Sequence, residues 1–599
     1  MSKISPTQSL PNPFPDQIRL LLDLLRWIPI ASTAGILAGT ASAALLASLT
    51  LATNLREHHI WLILLLAPAG WCVGLMYKLF GQSVEGGNNL ILEETHDPQS
   101  VIPLRMTPLI LIGTFITHLF GGSAGREGTA LQTGASLADQ LTRPLRLGPA
   151  DRRILLMAGI SAGFASVFGT PLAGAIFGLE VLVIGKVTYD AIAPCFLAAF
   201  VGDLVTRAWA NHVPGITHTV YRVAEVPQLS IVQVFYAGVS GIVFGLTAMG
   251  FAKTTHAVSH TARKFISRSE LRPVAGGLLV TAAVFSTGGF RYIGLGIPTI
   301  VAAFHSILPP WDFAAKFLFT AVTLGTGFKG GEVTPLFYIG ATLGNALSHI
   351  LPLPPSLLAG MGFVAVFGAA ANTPIASTLM AIELFGAEAG AYAAIACVVG
   401  YLFSGHAGIY HAQRVGKSKH RAAEVEEGMS LAHVARSRQL AQQDLLDEIN
   451  IYGYLEGSEM EQLTVLRLYF SASAMRRADS WWRRFAPENL GGYLLRQARE
   501  HGIEQALLHR IIGGYLKNQE LAMDTADVPP SRLPQCLELA GDEQDLQSFL
   551  KHNKDHLAKV RTVFLRGEKA RFEAEIEREE LEEALDMEHE PTFNAPDED

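Results

Sequence analysis

From about residue 30 to residue 410, apolar positions fall in long runs separated by short breaks rich in glycine and proline. Runs such as residues 30–51 and 61–75 approach or reach the roughly 20 apolar residues that a helix needs to cross a bilayer. The breaks include residues 81–90, 121–128, 294–298 and 330–335. Irregular backbone at membrane depth survives only where protein or a water-filled cavity surrounds it. Most of these breaks are therefore where a site is expected; the one at 294–298 reads as structural. Residues 19–27 read as an amphipathic interfacial helix. Residues 155–184, rich in alanine and glycine, suit close helix contact within lipid. Residues 211–228 form a polar, proline-containing loop between two halves, the second running from about 232 to 410.

Beyond about His420 the chain becomes charged and its periods change. Residues 431–454 read as a connector. Residues 464–470 alternate as a strand, 490–501 as a helix, 506–512 and 534–540 as strands, 545–557 as a helix and 560–565 as a last strand. This β-α-β-β-α-β order is that of a ferredoxin-like fold. The tail is dominated by glutamate and reads as a charged helix ending in disorder. The expected organisation is an N-terminal segment (1–27), a membrane domain (28–415), a linker (416–460), an α+β domain (461–572) and an acidic tail (573–599).

Composition agrees with this division. Of 599 residues, 49% are hydrophobic and only 17% charged, and the mean hydropathy is +0.28. An integral membrane protein follows. The net charge of −8 gives no support for nucleic-acid binding. Basic residues at Arg263, Lys264, Arg268 and Arg272, and again at Arg414, Lys417, Lys419 and Arg421, mark cytoplasmic ends by the positive-inside rule. The C-terminal domain is then cytoplasmic and the membrane the cell (inner) membrane. Residues 1–17 lack the apolar core of a cleavable signal, so the first apolar segment reads as a retained anchor. The four cysteines make neither a metal pattern nor a disulfide framework. With no nucleophile–base or metal-ligand spacing, neither an enzyme nor a cofactor is expected.

Candidate chemistry centres on Gly121-Gly-Ser-Ala-Gly-Arg-Glu-Gly-Thr-Ala-Leu131. Glycines let backbone approach a ligand, and the free N–H groups of the following helix favour an anion. Yet Glu127 at its middle is itself an anion. One reading is a proton-sensitive gate, in which the carboxylate holds the anion's place when ionised and leaves when protonated. The other is a Gly-rich helix start with Arg126 and Glu127 as solvated or capping charges. Duplication favours the first. Gly330-Gly-Glu-Val-Thr-Pro335 matches Gly125-Arg-Glu-Gly-Thr-Ala130 at glycine, glutamate and threonine. Gly134-Ala-Ser-Leu137 is matched by Gly340-Ala-Thr-Leu343, and the Thr170-Pro stretch ending at Glu180 by the Thr373-Pro stretch ending at Glu383. Broken apolar segments at matching places in two halves point to a transport site at the repeat interface. Asn88 and Asn89 either line that site or cap the helix beginning near Leu90. Tyr410 is either an interfacial anchor or a phenol donating to an anion.

Together these motifs resemble the CLC family of chloride channels and proton-coupled exchangers, over about residues 30–415. The resemblance implies an all-α, multi-spanning fold of two inverted repeats and a homodimer with one anion pathway per subunit. It gives the Gly-Arg-Glu-Gly turn, with Gly125, Arg126 and Gly128, the gating glutamate Glu127. Gly331-Glu-Val-Thr-Pro335 matches the family's Gly-x-Phe-x-Pro with Val333 for phenylalanine, and Gly87-Asn-Asn-Leu-Ile91 carries Asn88 where the family has a serine. Tyr410 matches the central tyrosine. These departures are similar to the fluoride-exporting bacterial branch, as is Val181 where an inner proton-transfer glutamate is usual. The C-terminal domain resembles the PII-like domains through Leu466-Arg-Leu-Tyr-Phe470 and His509-Arg-Ile-Ile-Gly-Gly514. Those relatives tend to trimerise and would take a small-molecule ligand.

The leading expectation is a fluoride/proton antiporter. Glu127 carries the proton, Asn88, Tyr410 and Thr334 surround the anion, and Glu332 is either a second carboxylate or a helix cap. The rivals are a chloride-selective exchanger or channel on the same fold, and a membrane-tethered sensor using the PII-like domain. Arg476, Arg477, Arg483 and Arg484 around Trp481 and Trp482 form either an anionic-ligand patch or a solvated basic loop.

Overall fold

The computed structural model describes residues 16–216, 218–420, 427–438, 460–471, 474, 489–510, 513–514, 522–523, 534–557 and 560–570. The Pro-rich start, most of the expected connector, the arginine–tryptophan patch and the acidic tail lie outside the described residues. The chain divides into two units, Met1–Arg438 and Gln439–Asp599.

The first unit is helical. Its first half holds α1 (Asp16–His58), α2 (Leu66–Phe80), α3 (Asn88–His96), α4 (Met106–Leu119), α5 (Glu127–Asp139), α6 (Pro149–Phe168), α7 (Pro171–Glu180) and α8 (Ile192–Ala210). The second half repeats the series as α9 (Ile231–Phe265), α10 (Arg272–Thr287), α11 (Ile297–Ala303), α12 (Asp312–Gly325), α13 (Val333–Leu347), α14 (Pro355–Ala371), α15 (Pro374–Phe385) and α16 (Ala387–Phe403). Among the described residues, four stretches are long and apolar enough to cross a membrane: Leu20–His58, Ile60–Phe80, Tyr189–Ala210 and Ile231–Phe265. The expected interfacial helix at 19–27 is not separate. It runs without a break into α1, through Pro29, where proline removes one backbone hydrogen bond without ending the helix. The small-residue stretch 155–184 is likewise two helices, α6 and α7, parted where Gly169 takes a left-handed conformation before Pro171.

The matched Gly134 and Gly340 have a packing reason. A Cβ on Gly134 of α5 would lie 2.4 Å from the Gly159 carbonyl of α6, and one on Gly340 of α13 would lie 2.0 Å from the Gly362 carbonyl of α14. Only glycine lets each pair of helices approach this closely. The matched glutamates Glu180 and Glu383 also have a structural use. Glu180, ending α7, accepts N–H bonds from Ile375 (3.1 Å) and Ala376 (2.8 Å) at the start of α15. Glu383, on α15, accepts from Leu172 (2.9 Å) and Ala173 (2.8 Å) at the start of α7. Each carboxylate caps the other half's helix, where free N–H groups and the helix dipole favour a negative charge.

The helix starts set the register between halves. Met106 and Asp312, Glu127 and Val333, Pro149 and Pro355 are each 206 positions apart. In this register Glu127 corresponds to Val333, and Glu332 corresponds to Arg126. The motif match that pairs the two glutamates is therefore displaced by one residue. The Gly134 and Gly340 motifs keep the structural register.

After α16, residues 404–413 run without regular structure past Tyr410, and β2 (Arg414–Val415) pairs in parallel with β1 (Val183–Ile184). Residues 428–438 then return to this unit. Leu431 and Val434 are buried with Ile184 and Val415, the Leu431 N–H donates to the Gln413 carbonyl (2.9 Å) and the Ala432 N–H to that of His411 (3.1 Å).

In the second unit β3 (Met460–Ser471), β4 (Gln505–Arg510), β7 (Pro534–Gly541) and β8 (Arg561–Ala570) form one sheet in the order β4-β7-β3-β8, with every neighbour antiparallel. A short ribbon pairs β5 (Gly513–Gly514) with β6 (Ala522–Met523). Helix α17 (Leu490–Glu500) lies between β3 and β4, and α18 (Glu543–His552) between β7 and β8. Asn489 and Asp542 cap them by accepting N–H bonds of the first turn. Alternation on β3 sends Leu466, Leu468 and Phe470 inward against Leu494, Leu537 and Phe549. Order and direction are those of the ferredoxin-like split βαβ.

Candidate functional site

The Glu127 and Glu332 turns meet. Gly125 and Gly331 form an antiparallel bridge, with N–H to carbonyl distances of 2.6 and 2.8 Å. A Cβ on Gly125 would come within 2.9 Å of the Gly331 carbonyl, and one on Gly331 within 2.6 Å of the Gly128 nitrogen. Here the two halves touch through backbone, and glycine permits it. The turn is also braced from behind. The Gly294 N–H donates to the Gly122 carbonyl (3.0 Å), and the wholly buried Lys316 donates to the carbonyls of Tyr292 (2.9 Å) and Gly294 (2.7 Å). The 294–298 break is thus structural, as its sequence suggests.

Glu127 is the first residue of α5 and is completely buried. Its Oε2 accepts the backbone N–H of Thr334 and that of Arg126, both at 3.0 Å. Its Oε1 accepts the Thr334 hydroxyl, and the Arg126 Nε lies 3.6 Å away. Thr334 is the second residue of α13, so its N–H is one that the helix cannot satisfy itself. The carboxylate of one half therefore sits on the anion-attracting end of a helix from the other. Its two oxygens stand where a small anion would receive the same donors. Burial excludes a solvated role for Glu127; its carboxylate caps the start of α13 from the other half, as Glu180 and Glu383 cap α15 and α7.

Asn88 opens α3 rather than preceding it, and neither it nor Asn89 makes a side-chain cap. Asn89 Oδ1 instead accepts the Ala412 N–H (3.1 Å), tying α3 to the segment that carries Tyr410. The Asn88 Oδ1 and the Tyr410 hydroxyl are buried with no hydrogen-bond partner among the described residues. Both line a cavity of about 260 Å³ shared with Glu332. They also line a small recess of about 20 Å³ walled by Ile91, Leu131, Phe177 and Val181. Two buried polar groups without partners facing one space are costly unless something completes them. Tyr410 is no interfacial anchor, since it is 2% exposed.

The remaining expected residues fare differently. The Gly125 N–H is committed to the bridge and the Arg126 N–H to Glu127, so neither is free for an anion in this conformation. Gly128 lies against Asn88, whose amide nitrogen would be 3.2 Å from a Cβ there. Val333, the counterpart of Glu127, is buried and offers no donor beyond its backbone. Glu332 occupies the cap position of α13 without a side-chain cap bond and is half-buried at the cavity wall. Sequence reasoning missed Gln132, Lys329, His256 and His411, which share this cavity. For His411 its place directly after Tyr410 was an available signal; the others had none.

Comparison with known proteins bears on this geometry. Residues 69–405 match the family described as voltage gated chloride channel. A protein of Pseudomonas syringae pv. tomato named "Chloride/fluoride channel protein" is 56% identical over 419 residues, which is 69% of this chain and 92% of that protein. A crystal structure of a CLC-type fluoride/proton antiporter superposes with a TM-score of 0.63 at 34% identity, covering 66% of this chain and 99% of that one. The structure of a slow cyanobacterial Cl−/H+ antiporter, at 18% identity and a TM-score of 0.57, shares the fold and covers 70% of this chain and 99% of its own.

Proposed function

Because the chain belongs to the CLC family of voltage gated chloride channels, we propose that it is a membrane antiporter that expels fluoride from the cytoplasm in exchange for protons. The observation that carries this reading is the Glu127 carboxylate on the start of α13, with the Thr334 N–H and hydroxyl directed at it. When ionised, Glu127 fills the anion's place. When protonated, it loses the charge that favoured those donors, and an anion takes them over. Anion and proton then alternate at one locus, and no cofactor is needed.

Fluoride is small and strongly hydrated, so its site must replace water with direct donors. An unpaired charge in a dry site costs several kcal/mol, while each hydrogen bond to a charged group returns about 1.5–3 kcal/mol. Asn88, Tyr410 and Thr334 supply such donors, Gly128 lies beside Asn88, Arg126 brings its positive charge near Glu127, and Val333 fills space without a donor. We assign selectivity mainly to Asn88, whose amide carries two N–H donors where a serine has one. Glu332 is a second carboxylate, exchanging protons between the cavity and Glu127. The working form is a homodimer in the cell (inner) membrane, built on residues 28–415 of each copy. Residues 461–572 form a cytoplasmic, PII-like domain that takes a small-molecule ligand. The basic residues at 263–272 and 414–421 support that orientation.

Parallel fluoride and chloride efflux from liposomes, followed with ion-selective electrodes, tests this. Fluoride is expected well ahead of chloride, and Asn88→Ser is expected to shrink the ratio by about tenfold, or about 1.4 kcal/mol. Chloride efflux equal to or faster than fluoride in the unmodified protein would favour a chloride exchanger on the same fold. The relative's name, with both anions in it, is the reason to keep that second reading in view.

A further inference from the structure

The cavity that meets Tyr410 and Glu332 holds a pair of histidines that the anion site does not use. His256 on α9 and His411, the residue after Tyr410, both line it and both are half-buried. Their rings lie 3.6 Å apart between centroids, and His411 Nε2 is 2.7 Å from His256 Nδ1. His256 Nε2 is 3.2 Å from the Gly408 carbonyl oxygen. A carbonyl only accepts, so His256 carries its hydrogen on Nε2 and its Nδ1 is a lone pair. His411 therefore donates from Nε2. Its Nδ1 has no hydrogen-bond partner among the described residues. A proton added there leaves every bond of the pair in place and makes the Nε2–H···Nδ1 bond charge-assisted, hence stronger.

We propose that His411, backed by His256, is the inner proton port of the antiporter, taking protons from cytoplasmic water and passing them toward Glu332. The proposal rests on the antiport reading of the Glu127 site. The step is a plain relay. Water in the cavity gives a proton to His411 Nδ1, the imidazolium shares its charge with His256, and the same nitrogen returns the proton to water beside the Glu332 carboxylate. No bond other than N–H and O–H forms or breaks. The other ionisable groups facing this cavity are Arg263, Lys329, Glu85, Glu332, Tyr77 and Tyr410. With both rings neutral every hydrogen bond of the pair is satisfied, which leaves the His411 Nδ1 lone pair open to take up a proton and hand it on. The backbone also supports this post: the Ala432 N–H holds the His411 carbonyl (3.1 Å), and Asn89 holds the next residue.

The test uses full-length protein in liposomes, with fluoride-driven proton uptake measured from pH 5.5 to 8.5. His411→Gln keeps a donor for His256 but cannot titrate. It is expected to slow proton uptake by roughly 100-fold at the alkaline end, the low end for a positioned acid–base group. The deficit should shrink toward acid pH, where protons reach Glu332 without help. Fluoride affinity in detergent, measured by titration calorimetry, should stay unchanged. His256→Gln keeps an acceptor for His411 and is expected to give a smaller deficit of the same shape. A His411→Gln protein with the unmodified pH profile overturns the proposal, as does a deficit matched by an equal loss of fluoride affinity. An unmodified protein that carries fluoride without protons overturns the antiport reading and the proposal together.

Discussion

The Glu127 and Glu332 turns occupy the same place in two copies of one helical series, yet they are not the same device. Glu127 is the first helical residue of α5, buried, with its carboxylate on the opposing helix. Glu332 stands one position earlier in its own turn, caps nothing with its side chain and faces the cavity. The position equivalent to Glu127 is filled by Val333. A displacement of one residue at a helix start turns the side chain by about 100°, from 3.6 residues per turn. That rotation separates a carboxylate aimed across the repeat interface from one that lines the cavity. The duplicated backbone supplies two helix ends that meet at the Gly125–Gly331 bridge, and the unequal side chains send a carboxylate across it from only one of them.

The largest effect should come from breaking that asymmetry. Glu127→Gln mimics the protonated state permanently, and is expected to abolish fluoride-coupled proton uptake while fluoride still passes. Glu332→Gln is expected to slow coupled uptake without abolishing fluoride binding. Proton pumping by Glu127→Gln liposomes at the unmodified rate would refute the assignment of roles. A second comparison sets the two matched glycines against each other. Gly340→Ala meets the Gly362 carbonyl more closely than Gly134→Ala meets that of Gly159. Overpacking of this kind costs about 1–3 kcal/mol or more, so the midpoint of thermal unfolding in detergent should fall for both and further for Gly340→Ala. Equal midpoints would show that the helix pairs part freely. The smallest effect concerns a region outside both halves. A chain ending at Arg438 keeps Leu431 and Val434 seated on Val415, and should exchange fluoride at the full-length rate. Loss of transport in a folded protein of that length would make the second unit part of the pathway.

Much of this was legible in the sequence. Spanning runs, glycine–proline breaks and strand alternation are local patterns, and each maps onto an element: the 121–128 break onto the start of α5, the alternation at 464–470 onto β3. The βαββαβ order then left few ways to arrange four strands, and the observed order is the ferredoxin-like one. Duplication likewise announced that two halves share a fold and that the broken segments matter.

What the sequence by itself determined, then, is most of the helices and strands, several of the breaks between them, and that Glu127 lies at a helix start in a repeat. Only the tertiary structure decided what those breaks meet. The Glu127 carboxylate finds its donors on Thr334, 207 positions on. Glu180 finds a helix end 195 positions on, and His411 a partner 155 positions back. The two glutamate motifs align by residue type, but helix starts set their register, and these place Val333 opposite Glu127. The physical reason is one of range. Periodicity and turn chemistry act within a few residues, whereas a buried carboxylate is satisfied by whichever N–H and O–H groups the packing of remote helices brings to it.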